Sequence, residues 1–257
     1  MEDAVGATEE RSSGRKRALV LEVADETRWS FTPPRTWLSG VLVNLVLSLA
    51  YLVVVPLTGH HRGAWVVLVG TYFANFILAD VTTTNIVGSD PVRIPDRLAR
   101  GESIRRLLLV KNLTLMIIVG LPTLALTAWL TISDGRHSLL LTLPAVAFPV
   151  LCWLAVGDIA SVLLAVRPMS MRHRWATRHD LPATARWLTH LALPYGLFLV
   201  VQVLRLFPHT VVAELPRALA HTPAAHGLTL TTAGIMLWVA GLSTAAWLLN
   251  RRGLRLS

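Results

Sequence analysis

Three ionisable side chains, Asp80, Asp158 and His190, lie within the most apolar stretches of this sequence. A buried carboxyl or imidazole group can act as a general acid or base, carry a proton or bind a metal ion. Catalysis would need several such groups at one depth, yet each acid lies within about two helical turns of a polar boundary. The neighbouring side chains that could satisfy the acids are Thr82, Asn85 and Ser161. We therefore expect no catalytic residues here.

The other candidate ligands are scattered along the chain. Eight further histidines lie between the apolar stretches or at their ends, at His60, His61, His137, His173, His179, His209, His221 and His226. No HExxH pattern or other close ligand spacing joins them. The single cysteine, Cys152, excludes an intrachain disulfide and a cysteine-based zinc site. We expect no metal ion and no cofactor on this chain.

The composition indicates the elements that carry these residues. Of 257 residues, 53% are hydrophobic and 15% are charged, whereas soluble domains have about 25% charged residues. A membrane-spanning helix needs about 20 mostly apolar residues. Six windows qualify: Thr36–Pro56, Gly63–Asn85, Leu107–Ile132, Leu139–Val166, Ala185–Phe207 and Gly227–Asn250. The sequence predicts an all-α membrane protein with six transmembrane helices.

The basic residues predict the orientation of these spans. Of the 24 Lys and Arg residues, all but Arg62, Arg136, Arg205 and Arg217 fall on the side that also carries the N-terminus. Such an excess marks the cytosolic side, so both termini should be cytosolic and the protein should lie in the cytoplasmic membrane. The basic residues flank the spans without interleaved aromatic residues, which favours anionic lipid over nucleic acid as a partner.

The same layout divides the chain into three parts. Residues 1–35 are expected to form a cytosolic leader with an interfacial segment, in which Trp29 and Phe31 suit the lipid headgroup region. Residues 36–250 form a single six-helix transmembrane domain, and residues 251–257 form a basic cytosolic tail.

A basic segment, DPVRIPDRLARGESIRRLLLVKN, lies between the second and third spans at residues 90–112. Pro95 suits the first turn of a helix and Gly101 suits its end. Ser103 can cap a second helix that continues into the third span. The segment is therefore predicted to be a short cytosolic helix, a hinge and a span.

The short helix has two possible roles. Ile94 and Leu98 share one face at i, i+4 spacing, while Arg97 and Arg100 project from another. The segment could be a solvated loop that anchors the protein to anionic lipid. It could equally be a docking element for a cytosolic partner.

Three motifs around this segment resemble a known family. They are NIVGSD at residues 85–90, LLVKNL at residues 108–113 and GDIASVLLAVRP at residues 157–168. They resemble segments of ATP-binding-cassette (ABC) export permeases of the type-two, six-helix class. The positions that match are Asn85, Gly88, Asp90, Lys111, Asn112, Gly157, Asp158, Ser161, Arg167 and Pro168. Asp158 departs from the pattern, because a neutral amide is common there.

The resemblance implies a transport subunit and not an enzyme. A cytosolic coupling helix would contact a separate P-loop ATPase through Ile94, Arg97, Leu98, Arg100, Gly101 and Glu102. ATP and magnesium would bind that partner, since this sequence contains no GxxxxGK[ST] loop. The permease would work beside an identical or related second copy, with short outer helices at residues 207–226. The cargo could be a lipid, a glycan or a drug-like molecule.

Two alternatives stay open on the sequence alone. One is a membrane-embedded enzyme that acts on lipid, which would use the acids within the spans. The other is a single-component carrier or channel, which would need its own polar path. The span centres offer such a path only Asn44, Asn75, Gln202 and several Ser and Thr residues, which serve equally well in helix packing.

The charge asymmetry makes a direct prediction about topology. Single cysteines placed at Ser13, His173 and Ser257 should react with a membrane-impermeant thiol reagent only from the cytosolic side, and one at Ala220 only from outside. Labelling of position 257 from outside would exclude the six-span arrangement.

Overall fold

The structure, a computed structural model, describes residues 18–32, 85–135, 138–165, 179–204 and 222–253. Its regular elements within these ranges are all helical, as the sequence predicts. Helix α1 covers residues 18–30, α2 Arg93–Ala99, α3 Ile104–Leu115, α4 Leu121–Asp134, α5 Leu139–Leu163, α6 Leu181–Leu204 and α7 Pro223–Arg252. A π-helical turn, Met116–Gly120, joins α3 directly to α4.

Three helices in the described part of the chain are long and apolar enough to cross a membrane. They are Ile104–Asp134, Leu139–Leu163 and Ala224–Arg252. They correspond to the third, fourth and sixth predicted spans, and α6 covers most of the fifth. The first predicted span, nearly all of the second and residues 205–221 of the outer segment lie outside the described residues.

Local sequence signals set several helix ends. The hydroxyl groups of Ser138 and Thr222 accept hydrogen bonds from backbone N–H groups in the first turns of α5 and α7. Gly135 and Gly253 have φ angles of 64° and 69° at the ends of α4 and α7. Glycine adopts this left-handed conformation without steric cost, so it commonly ends a helix.

Helix α5 lies at the centre of the described bundle. It is apolar on all sides, which is typical of a helix surrounded by other helices. Its largest buried side chains, Phe148 and Trp153, belong to one hydrophobic cluster with residues of α7 and the π-helical turn. A second cluster, near the predicted cytosolic end, joins Leu154 to Ile94 of α2 and Leu107 of α3.

Three glycines at seven-residue intervals allow α7 to approach α5 closely. Gly227, Gly234 and Gly241 are all buried. A Cβ atom added at Gly241 would lie 2.6 Å from the Cα atom of Ala155, and one at Gly227 would overlap the backbone oxygen of Leu140. Small residues of this kind let helix backbones pack closely in membranes, where van der Waals contact drives association.

The contacts also give the directions of the helices. Gly227 lies beside Leu140 and Gly241 beside Ala155, so α5 and α7 run parallel. Thr131 of α4 donates a hydrogen bond to Thr142 of α5 over 3.1 Å. Two parallel spans must be separated by an odd number of crossings. We therefore expect α6 to return the chain across the membrane, in agreement with the predicted span order.

This packing predicts different effects for two glycine substitutions. Gly241→Ala should lower the stability of the purified protein by roughly 1–3 kcal/mol, because the new methyl group overpacks the contact with Ala155. Gly196→Ala in α6 is the matched control, since a Cβ atom there would meet no atom within 4 Å. Thermal unfolding in one detergent would compare them. A Gly241→Ala protein as stable as the Gly196→Ala control would contradict the close contact.

Candidate functional site

The candidate site lies where α1, α2 and the first turns of α3 meet. Glu22, Glu26 and Trp29 share one face of α1 at i, i+4 and i+7 spacing. This face contacts basic residues of α2 and α3. Four acids and four bases take part: Glu22, Glu26, Asp90, Glu102, Arg93, Arg97, Arg106 and Lys111. We call these eight residues the charge cluster.

Glu26 is the most deeply buried acid of the charge cluster, with only 1% of its surface exposed. Its carboxylate lies 2.5 Å from Nζ of Lys111, 3.1 Å from a guanidinium nitrogen of Arg93 and 3.5 Å from one of Arg97. A buried charge is tolerated when opposite charges surround it. One carboxylate of α1 thus contacts two arginines of α2 and a lysine of α3.

Lys111 joins α3 to the segment before α2. Its side chain is nearly buried, and Nζ lies 2.9 Å from Oδ2 of Asp90 as well as against Glu26. Asp90 also accepts a hydrogen bond from the backbone N–H of Arg93 over 3.3 Å, in the first turn of α2. The start of α2 is therefore attached directly to α3.

Trp29 adds an aromatic surface to the same contact. The Cζ atom of Arg93 lies 4.3 Å from the centre of its ring, and Nζ of Lys111 lies 4.5 Å from it. Cations at these distances are attracted to the negative face of an aromatic ring. The sequence suggested a headgroup position for Trp29, whereas in the structure its ring contacts two cations of the charge cluster.

The hinge after α2 is bridged by a second pair. Gly101, in this hinge, has a φ of 83°. Arg97 before the hinge donates two parallel hydrogen bonds, of 2.6 and 2.5 Å, to the carboxylate of Glu102 after it. The hydrogen bond from Arg97 lowers the pKa of Glu102 below its usual range, and the same bond raises the pKa of Arg97. Both groups are therefore charged at neutral pH.

The outer edge of the charge cluster is open to solvent. Arg106 of α3 donates two hydrogen bonds to Glu22 of α1, over 2.9 and 2.7 Å. An open groove of about 670 Å³ lies between this pair and the hinge. Arg100 lies exposed beside the groove, and its guanidinium group donates to the backbone oxygen of Asp96.

The structure brings the three sequence motifs together in two polar pairs. Asp90 of the first motif contacts Lys111 of the second, and Asn112 of the second donates a 2.7 Å hydrogen bond to Asp158 of the third. Ser161 donates to the backbone oxygen of Asp158 and not to its carboxyl group, so the expected satisfaction by Ser161 was wrong. Four of the predicted residues lie outside the described ranges: Asp80, Thr82, Arg167 and Pro168. Gly88 lies in a turn, and Gly157 lies in α5.

The predicted short helix is present as α2. It begins at Arg93, one residue before the start that the position of Pro95 predicts. Ser103 caps α3 as predicted, by accepting from the backbone N–H of Arg106. Ile94 is fully buried against α3 and α5 residues, and Leu98 packs against the same cluster. The apolar face of α2 thus contacts this chain, while Val92 and Arg100 lie on its exposed side.

Two acids of the charge cluster, Glu22 and Glu26, were not predicted from the sequence, whereas Asp90 and Glu102 were among the predicted site residues. The i, i+4 spacing of Glu22 and Glu26, with Trp29 three residues later, was the available signal for a helix face that binds cations. Within the described residues, no group of three or more His, Cys, Asp or Glu side chains could hold a metal ion.

Comparison with known proteins identifies no relative. No protein family, curated protein or solved structure matches this chain. The motifs and the geometry of the charge cluster are therefore the basis for a proposal about function.

The burial of Glu26 predicts that α1 depends on this carboxylate. Glu26→Gln should destabilise the contact by roughly 3–5 kcal/mol, because it removes the buried carboxylate that Lys111, Arg93 and Arg97 share. Trypsin cleavage after Arg28, which lies on the exposed side of α1, would measure the release of α1 in detergent-solubilised protein.

Glu22→Gln is the matched control, since the Glu22 side chain is 32% exposed and a solvent-exposed pair contributes about 0–1 kcal/mol. Equal cleavage rates in the two variants would show that the buried carboxylate has no special role in holding α1.

Proposed function

We propose that this chain is the membrane-spanning permease subunit of an ABC export system, with six spans and both termini in the cytosol. The motif resemblance supplies the family. The observation that carries the mechanism is that α2 is ion-paired to α1, while Asp90, in the segment just before α2, is ion-paired to Lys111 of α3. A force applied to α2 would therefore reach a membrane-crossing helix.

The transfer of force from α2 to α3 depends on how the segments before and after α2 are attached. The chain enters α2 beside Asp90, which is bound to Lys111 of α3. It leaves α2 through the Gly101 hinge, which the Arg97 and Glu102 pair restrains. Because Asp90 before α2 is bound to Lys111 of α3, and Ile94 of α2 packs in one cluster with Leu107 of α3, α2 should move with α3 as one body.

The exposed side of α2 is the surface offered to an ATPase. Val92 is 68% exposed, and Asp96 and Arg100 lie at i+4 and i+8 from it, on the same face. An apolar residue beside an acid and a base suits insertion into a cleft of a partner protein. Ile94, on the opposite face, anchors α2 to its own chain.

ATP hydrolysis is assigned to the partner. The sequence lacks the phosphate-binding loop, so the partner would bind ATP and magnesium. Closure of two ATPase subunits would move α2 in each of two permease copies, and α3 would transmit the movement into the membrane. The cargo follows the lipid, glycan or drug-like class that the resemblance implies.

The exposed face of α2 provides the test. The tagged chain would be purified from membranes of its native host, and bound P-loop ATPase would be detected by photolabelling with an ATP analogue. Val92→Glu should abolish recovery of the labelled partner, since a new charge would enter an apolar contact. Ala24→Glu on the exposed side of α1 is the control, because it adds the same charge on the same membrane side.

Both variants should unfold at the wild-type temperature, since neither position is buried. Recovery of an ATPase with Val92→Glu at the wild-type level would exclude α2 as the docking element. ATP hydrolysis by the isolated wild-type chain would exclude the proposed division of labour.

A further inference from the structure

Asp158 and Asn112 form an isolated polar pair inside the bundle. Both residues are completely buried, with 0% of their surfaces exposed. The amide Nδ2 of Asn112, on α3, donates to Oδ2 of Asp158, on α5, over 2.7 Å. The pair joins two membrane-crossing helices beside the hydrophobic cluster that contains Leu108 and Leu154.

Each residue of the pair retains a buried oxygen without a donor. Oδ1 of Asp158 and Oδ1 of Asn112 are both buried, and neither has a hydrogen-bond partner among the described residues. Each such acceptor is costly to bury unsatisfied. A single proton on the carboxyl group supplies the missing donor, because a carboxylic acid can donate to the amide oxygen while it accepts from the amide nitrogen.

No charged side chain that the structure describes on the surrounding helices forms an ion pair with Asp158. On α3, Lys111 contacts Glu26 and Asp90, Arg106 contacts Glu22, and Arg105 is exposed. On α7, Arg251 lies over the Trp247 ring and Arg252 is exposed, while His226 and Asp134 of α4 lie at the other end of the bundle. On α6 the titratable residues are Arg186 and His190. In the described part of the chain, Asp158 has no ion pair.

We propose that Asp158 and Asn112 form a proton-binding site, in which a neutral Asp158 carboxyl group donates from Oδ1 to Oδ1 of Asn112. The proton comes from water at the cytosolic end of the bundle and returns there when the site opens. Binding forms the O–H bond and the second hydrogen bond of a cyclic acid and amide pair. The site does not depend on the proposed transport function.

A proton at this site would control how firmly α3 is held to α5. With the proton bound, two hydrogen bonds join the helices and no charge is buried. Without it, an ionised carboxylate lies in an apolar interior with one donor. Since α3 also carries Lys111 of the charge cluster, loss of the proton would loosen the helix that holds α2.

A metal cation is a poorer occupant of the same position. The Asp158 and Asn112 side chains offer two unpaired oxygen atoms, whereas magnesium and calcium take about six or more oxygen ligands. The experiment nevertheless includes sodium as a competing occupant.

Infrared spectroscopy of the membrane-reconstituted protein tests the site directly. The wild-type spectrum at neutral pH should contain a carboxylic acid C=O band that shifts in heavy water and is absent from Asp158→Asn. In Asn112→Leu the band should remain but shift, because its amide partner is gone. The proposal would be overturned if the wild-type spectrum contained no carboxylic acid band, or if neither variant changed that band.

Thermal unfolding supplies a second readout that a purely structural pair would not give. The folded protein would hold a proton that the unfolded chain has lost, so wild-type stability should fall as pH rises. We expect the Tm difference between wild type and Asp158→Asn to change by about 4 °C between pH 7 and pH 10. Asp158→Asn can form the same two hydrogen bonds with Asn112 and should lack this component.

Replacing sodium chloride by choline chloride in the unfolding experiment distinguishes a bound proton from a bound sodium ion. A Tm that is independent of sodium, together with the infrared band, supports a proton. A sodium-dependent Tm that Asp158→Asn abolishes would overturn the proton site in favour of a cation, as would a pH dependence identical in wild type and Asp158→Asn.

Discussion

The buried carboxylate of Glu26 is the interaction on which the packing of α1, α2 and α3 depends. It lies against Lys111, Arg93 and Arg97, which come from two different helices. Without it, Lys111, Arg93 and Arg97 would lose the carboxylate that they share. Its geometry explains why α1 lies against α2 and α3. The contact also turns three separate segments into one mechanical unit.

The bundle formed by α3, α4, α5 and α7 is stabilised by a different kind of interaction. In a membrane, apolar side chains gain little by leaving lipid for protein, so close packing and hydrogen bonds must join the helices. The three spaced glycines of α7 meet this requirement against α5, and Thr131 meets it between α4 and α5. The charge cluster and the bundle are connected through α3, which belongs to both.

The sequence motifs acquire a physical meaning once the helices are placed. The first two are linked by the pair of Asp90 with Lys111, and the last two by the pair of Asn112 with Asp158. Lys111 and Asn112 are adjacent in sequence, yet one contacts the charge cluster and the other the bundle interior. This division places α3 between the charge cluster and the packing of the spans. Because both pairs include a residue of α3, a change in one pair should affect the position of the other.

The sequence by itself determined the helical class, three of the spans, the short helix before Gly101 and the cap at Ser103. These features follow from hydropathy, proline and glycine placement and local hydrogen bonding, all of which act within about one helical turn or along one span. Only the tertiary structure decided that Glu26 contacts Lys111 and that Asn112 contacts Asp158. Those partners lie far apart in sequence, and helix packing, which no single segment encodes, brings them together.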